Sequence, residues 1–230
     1  MKKFKDAALE FDFFRKKYNI ERMNHFAVMI IADKSQSIAS FSGELVVDME
    51  KEFYEKPYLI KFKENLYLPP NSLIKLFLKL PLVTKLVLKN DTKSMEIDRH
   101  IGNKRMVWHG EVHNGILCHY VEAEFAFDKP FKTEEALVPL RIVNKNDNMR
   151  VISKIVIEPE NLSLVEGKNG FFTNKVYIVV LTSKEFEVEY GTKTSAKIID
   201  PRIIIDRKIS VAKTVLTRFD KFGISRELGL

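Results

Sequence analysis

Apolar and polar residues alternate along most of this chain with a period of two, the spacing at which successive side chains point to opposite faces of a β-strand. In the run 41–49, Phe41, Gly43, Leu45, Val47 and Met49 share one face, with Ser42, Glu44 and Asp48 on the other and Val46 the exception. In Leu73–Leu80, Ile74, Leu76, Leu78 and Leu80 point one way. Lys75 and Lys79 point the other, beside Leu73 and Phe77. Similar runs occupy residues 58–63, 82–89, 116–127, 137–143, 151–157, 176–182, 203–209 and 211–219. Repeated alternation with short polar breaks predicts strands of a sandwich or barrel.

The breaks carry turn chemistry. Leu68-Pro69-Pro70-Asn71-Ser72 ends a strand, because proline has no N–H to give a ladder. Residues 89–93 and 144–148 are rich in Asn and Asp, which tolerate turn geometry, and Gly167-Lys168-Asn169-Gly170 reads as a hairpin. Val176–Leu181 is apolar on both faces, which predicts a central strand covered on both sides. The N-terminus supports two readings. Phe4, Ala7, Ala8, Phe11, Phe14 and Tyr18 fit a helical stripe, while Leu9, Phe11 and Phe13 fit a strand.

The expected fold is all-β: an antiparallel β-sandwich of immunoglobulin-like or jelly-roll-like character, or two packed sandwiches, with an N-terminal strand or short helix. No linker rich in Gly, Ser or Pro and no repeat interrupts the 230 residues, so 1–230 reads as a single β-rich domain.

Composition narrows the function classes. Cys118 is the only cysteine, which excludes an intramolecular disulfide scaffold and fits a reducing, cytoplasmic setting. Acidic Asp6, Glu10 and Asp12 follow the basic first residues where a secretory signal would be apolar. The longest apolar run, Phe26–Ala32, is too short for a spanning helix, so no membrane insertion is expected. Net charge is +7, from 38 Lys+Arg against 31 Asp+Glu, spread without blocks in a Lys/Glu/Ile-rich, thermophile-like composition. With nine glycines and no phosphate-cradling loop, serine elbow or kinase signature, nucleotide chemistry is disfavoured.

From about Lys56 to Ile224 the order of features resembles an uncharacterised family, the domain-of-unknown-function family number 432 of archaea and some thermophilic bacteria. The residues that carry the resemblance are the 68–72 turn, a strand ending Leu80-Pro81-Leu82, and Asp98. Trp108-His109-Gly110 and the strand Gly115-Ile116-Leu117-Cys118-His119-Tyr120 follow, and Arg218-Phe219-Asp220-Lys221-Phe222-Gly223 closes the match. The family pattern has a proline after the first glycine of the central motif and an arginine before its tyrosine. Glu111 and His119 stand in those places here. The resemblance implies a β-rich fold and no established activity. It makes Trp108, Gly110, Gly115, Cys118, His119 and Tyr120 the motif candidates.

Four of the five histidines, His100, His109, His113 and His119, fall near Cys118, and imidazole and thiolate are ligands that Zn²⁺ prefers. His109 and His113 would share a face of an unbroken strand, so they are the candidate zinc ligands, although their spacing matches no standard zinc signature. Adjacent Cys118 and His119 would point to opposite faces, His119 toward the core. Glu122 and Glu124 would project together from one strand, as paired carboxylates do in glycoside hydrolysis, but no sugar-stacking aromatics accompany them. Arg202, Arg207, Lys208 and Arg218 are candidate anion-binding residues, diluted by Asp200, Asp206 and Asp220.

Three functions follow. The first is a non-enzymatic binding or scaffolding module for an unidentified protein or other macromolecule, with a homodimer through an edge or apolar face as one expected assembly. The second is a metal-binding protein or metal-dependent hydrolase using His109 and His113. The third is anion or nucleic-acid binding by the basic C-terminal segment, which few stacking aromatics support. No catalytic residue is assigned.

Overall fold

The computed structural model describes residues 2–4, 8–33, 35–102, 104–123, 134–182, 185–194, 202–207, 214–218 and 226–228. The strands are β1 (Lys2–Phe4), β2 (Ala8–Phe13), β3 (Lys16–Asn24), β4 (Ala27–Ala32), β5 (Ser35–Ser40), β6 (Leu45–Glu52), β7 (Tyr58–Leu68), β8 (Ser72–Pro81), β9 (Val83–Lys89) and β10 (Ser94–Ile101). They continue with β11 (Met106–His109), β12 (Ile116–Ala123), β13 (Glu135–Asn144), β14 (Arg150–Ile157), β15 (Leu164–Gly167), β16 (Gly170–Val180), β17 (Glu185–Thr194), β18 (Arg202–Ile205), β19 (Thr214–Arg218) and β20 (Arg226–Leu228). One 3-10 turn, Pro159–Asn161, is the only helical element among the described residues.

These strands form four sheets in two compact units. The first unit, residues 1–51 and 83–101, holds the sheets β1-β6-β9-β10 and β2-β3-β4-β5. Its core draws Phe13, Tyr18, Ile20, Val28 and Ile30 from one sheet and Leu45, Val47, Leu86 and Leu88 from the other. The second unit, residues 52–82 and 102–230, holds β14-β7-β12-β11-β20 and a seven-stranded sheet, β18-β15-β16-β13-β8 with β17 paired to β16 and β19 to β17. Its core joins Tyr58, Ile60, Phe62, Val121 and Ile155 to Leu76, Leu78, Val138, Leu140, Ile178 and Val188. Each such apolar side chain, once fully buried, stabilises its unit by roughly 1.5–3 kcal/mol.

The all-β reading stands, with one correction to strand direction. Most pairs are antiparallel, but β7 and β12 run parallel, with Tyr58 beside His119 and Ile60 beside Val121. β13 and β16 are also parallel, with Leu140 beside Val176. Parallel neighbours need a long crossover, and both pairs are far apart in sequence. β16 is central as expected, with β13 on one side and β15 and β17 on the other. Only one of its faces is fully buried, through Val176, Ile178 and Val180. On the other face, Arg141 and Lys175 lie over the Tyr177 ring at 5.8 and 5.7 Å, so charged side chains with apolar stems cover it.

At the N-terminus the strand reading holds and the helix does not form among the described residues. Phe13 pairs with Lys16, which leaves Phe14 and Arg15 as a two-residue turn. Phe14 takes φ 54°, in the left-handed region such tight hairpins require. The other breaks behave as turns too. The Asn90 Oδ1 accepts the N–H groups of Thr92 and Lys93, closing the link between β9 and β10. Fully buried Asn144 places its Nδ2 within hydrogen-bonding distance of the Leu68, Pro69 and Asn148 carbonyls, tying two loops of the second unit together. No described helix is long and apolar enough to cross a membrane.

Candidate functional site

The central motif is a hairpin in the second unit. β11 and β12 pair antiparallel, Met106 opposite His119 and His109 opposite Ile116, so residues 110–115 make the connection. The Glu111 carbonyl accepts two hydrogen bonds, from the Gly115 N–H at 2.7 Å and from the Trp108 indole N–H at 3.1 Å. That double acceptance pulls the loop back under the indole and explains both glycines. Gly110 sits at φ 108°, where a side chain is strained. A Cβ on Gly115 would lie 2.6 Å from the Trp108 Cε2 and 2.7 Å from the Glu111 oxygen. Glu111, Val112, His113 and Asn114, held by this staple, are all exposed, and Val112 is 71% exposed.

Beyond the loop, β12 sends alternate side chains to opposite faces of its sheet. Cys118 and Tyr120 join Leu59, Val107 and Val156 in a small buried cluster. Burial pushes the Cys118 thiol up to about 12, so at neutral pH it stays protonated and is a poor nucleophile. Tyr120 lies beneath the Arg105 guanidinium at 4.1 Å, and its N–H donates to the Arg105 carbonyl.

His119 is on the core face. Its ring stacks on Tyr54 at 4.2 Å and meets Tyr58 edge-on at 5.6 Å. Burial lowers its pKa to about 4, which keeps the imidazole neutral, and its Nδ1 has no hydrogen-bond partner among the described residues. Tyr58 is itself fixed, donating to the Pro81 carbonyl and accepting the Tyr54 N–H. The arrangement is an aromatic shelf packed around the middle of β12.

The other candidates are dispersed. His109 is half-buried on β11 and His113 is exposed in the loop. His100 belongs to the first unit, where its ring stacks on Phe14 at 3.5 Å. Among the described residues, no three or more His, Cys, Asp or Glu side chains come together in a way that could hold a metal ion. Arg202 is exposed, 3.7 Å from Glu166, and the Arg207 backbone N–H donates to the Ser163 hydroxyl. Lys208 and Glu124 lie outside the described residues, and Arg218 is placed by its backbone alone, opposite Glu185. Glu122 is exposed.

Asp98 sits in the first unit beside a β-bulge in β10. It accepts hydrogen bonds from Lys16 at 2.8 Å and from the Tyr18 hydroxyl at 2.5 Å. Burial alone would raise its pKa, but these two donors outweigh it and hold the carboxyl below its usual range.

Sequence reasoning missed the staple and the aromatic shelf. The signal available was the position of Trp108 between two glycine-bearing segments. The Glu111 carbonyl, as a backbone atom, leaves no trace in side-chain pattern.

The family model described as "Protein of unknown function (DUF432)" matches residues 45–218. No curated protein and no solved structure matches the chain.

Proposed function

Because the chain belongs to the DUF432 family, whose description carries no activity, we propose a function from the corner itself. The protein is a non-enzymatic binding module of the cytoplasm that recognises a protein or other macromolecule through residues 111–114. The observation that supports this reading is the double hydrogen bond to the Glu111 carbonyl. It holds four exposed residues in one conformation before any partner arrives. A loop ordered in advance avoids much of the entropy cost of ordering on contact. Its composition suits recognition, with apolar Val112 among polar Glu111, His113 and Asn114, as an interface pairs a small apolar anchor with a polar rim.

In fold terms we read each unit as a β-sandwich. The support is that the two sheets of each unit contribute to one shared core. Such scaffolds commonly carry recognition on the loops that their rigid strands position.

The test compares immobilised wild-type chain with a Val112→Asp/His113→Ala variant in protein extract, with bound proteins quantified by mass spectrometry. Both side chains are exposed, so the variant keeps the wild-type thermal midpoint. The expected result is a defined partner retained by wild type and weakened at least tenfold in the variant. An identical bound set with equal affinities would overturn the reading.

A further inference from the structure

A sheet that ends in an open strand presents unpaired N–H and C=O groups to any other chain, and charge or proline on that strand is the usual protection. Every other strand that ends a sheet among the described residues carries such protection in its sequence. β1 has Lys2 and Lys3, β2 has Glu10 and Asp12, and β10 has Glu96, Asp98 and Arg99. In the second unit β8 has Lys75, Lys79 and Pro81, and β14 has Arg150 and Lys154. Arg202, Arg218 and Arg226 mark β18, β19 and β20. β5, Ser-Gln-Ser-Ile-Ala-Ser, has neither charge nor proline.

The ladder fixes which β5 groups face outward. The Phe41 N–H donates to the Phe26 carbonyl at 3.0 Å, in line with the β4–β5 register. Hydrogen-bonded pairs alternate in an antiparallel ladder, so Val28/Ala39 and Ile30/Ser37 are hydrogen-bonded and Met29/Ile38 is not. Gln36, Ile38 and Ser40 therefore turn their backbone N–H and C=O to the outer edge, where the Ser40 carbonyl also accepts the Lys93 ammonium at 3.1 Å and Ile38 is the middle of the three. Ile38 is 67% exposed and lies beside Met29 on the same face.

We infer that a second copy of this chain pairs antiparallel with β5 about a two-fold axis at Ile38, joining the two β2-β3-β4-β5 sheets into one. Two observations select a copy as the occupant. The outward groups of β5 are self-complementary under a two-fold axis, since each Ile38 offers both an N–H and a C=O to the other. The chain also carries net charge +7, which repels its copies elsewhere, whereas β5 itself is uncharged and the Lys93 ammonium that caps its Ser40 carbonyl falls opposite neutral Gln36 of the other copy. Ile38 and Met29 of both copies then form one apolar stripe. Gln36 falls opposite Ser40 of the other copy.

Sedimentation equilibrium of the full chain tests this. Wild type is expected to be dimeric at micromolar concentration. Ile38→Lys is expected to be monomeric with an unchanged thermal midpoint, because Ile38 lies outside the core. Hydrogen-bonded partners have Cα atoms about 5.5 Å apart, within disulfide range, so Ile38→Cys crosslinks into a dimer under mild oxidation. Gln36→Cys stays uncrosslinked, its mate being two residues off register on each strand. A monomeric wild type, a dimeric Ile38→Lys, or crosslinking at 36 but not at 38 would overturn the inference. None of these results bears on the 111–114 loop.

Discussion

Burial at His119 sets a measurable pH dependence. Its folded pKa of about 4 lies below the ordinary value of 6.5, because the ring is packed against Tyr54 and Tyr58 and the charged form is desolvated. The unfolded chain therefore takes up the proton first as pH falls. The contribution of His119 is fully present above about pH 6.5 and is lost progressively toward pH 4. At about 1.4 kcal/mol per pH unit, the loss is no more than about 3 kcal/mol. His119→Phe removes this contribution. Urea midpoints at pH 7 and pH 4 are expected to fall less for the variant than for wild type, and equal losses would contradict a buried neutral imidazole. Neighbouring Cys118 shows the same physics in a group that gains charge by losing a proton, so there burial moves the pKa up.

At the scale of the element, the 106–120 hairpin depends on close approach between backbone and indole. Gly115→Ala places a methyl carbon against Trp108 and the Glu111 carbonyl, so the loop must shift or the staple must break. We expect a loss of about 1–3 kcal/mol in urea unfolding. Fluorescence of the single tryptophan should change with it, while an unchanged spectrum and midpoint would mean that the indole does not hold the loop. Much of this level was legible in the sequence. Alternation at 73–80 and 151–157 marked β8 and β14, and the Asn-rich break at 89–93 marked a turn that Asn90 closes with its own side chain. The staple was not legible, since its acceptor is a backbone carbonyl. Nor were the parallel pairings of β7 with β12 and β13 with β16, because a period of two identifies faces and says nothing of direction. Polar β5 escaped detection for a related reason, since an exposed edge strand has little apolar face to alternate.

In the whole molecule, each unit has its own core, and the divisions at 51/52, 82/83 and 101/102 fall at or beside strand ends with no linker composition to mark them. Leu45 is fully buried in the core of the first unit. Leu45→Ala is expected to cost that unit roughly 2–5 kcal/mol. In calorimetry it should lower a first-unit transition while the second unit's remains in place, whereas a single transition shifted as a whole would contradict separate cores. The proposed recognition loop is one corner of the second unit, tied back by two hydrogen bonds to the Glu111 carbonyl. The most direct measurement is photo-crosslinking in cell extract from a benzophenone side chain placed at Val112, compared with one at exposed Lys61 on β7. A discrete adduct is expected from position 112 and none from position 61. The same smear of weak products from both positions would contradict recognition through the loop.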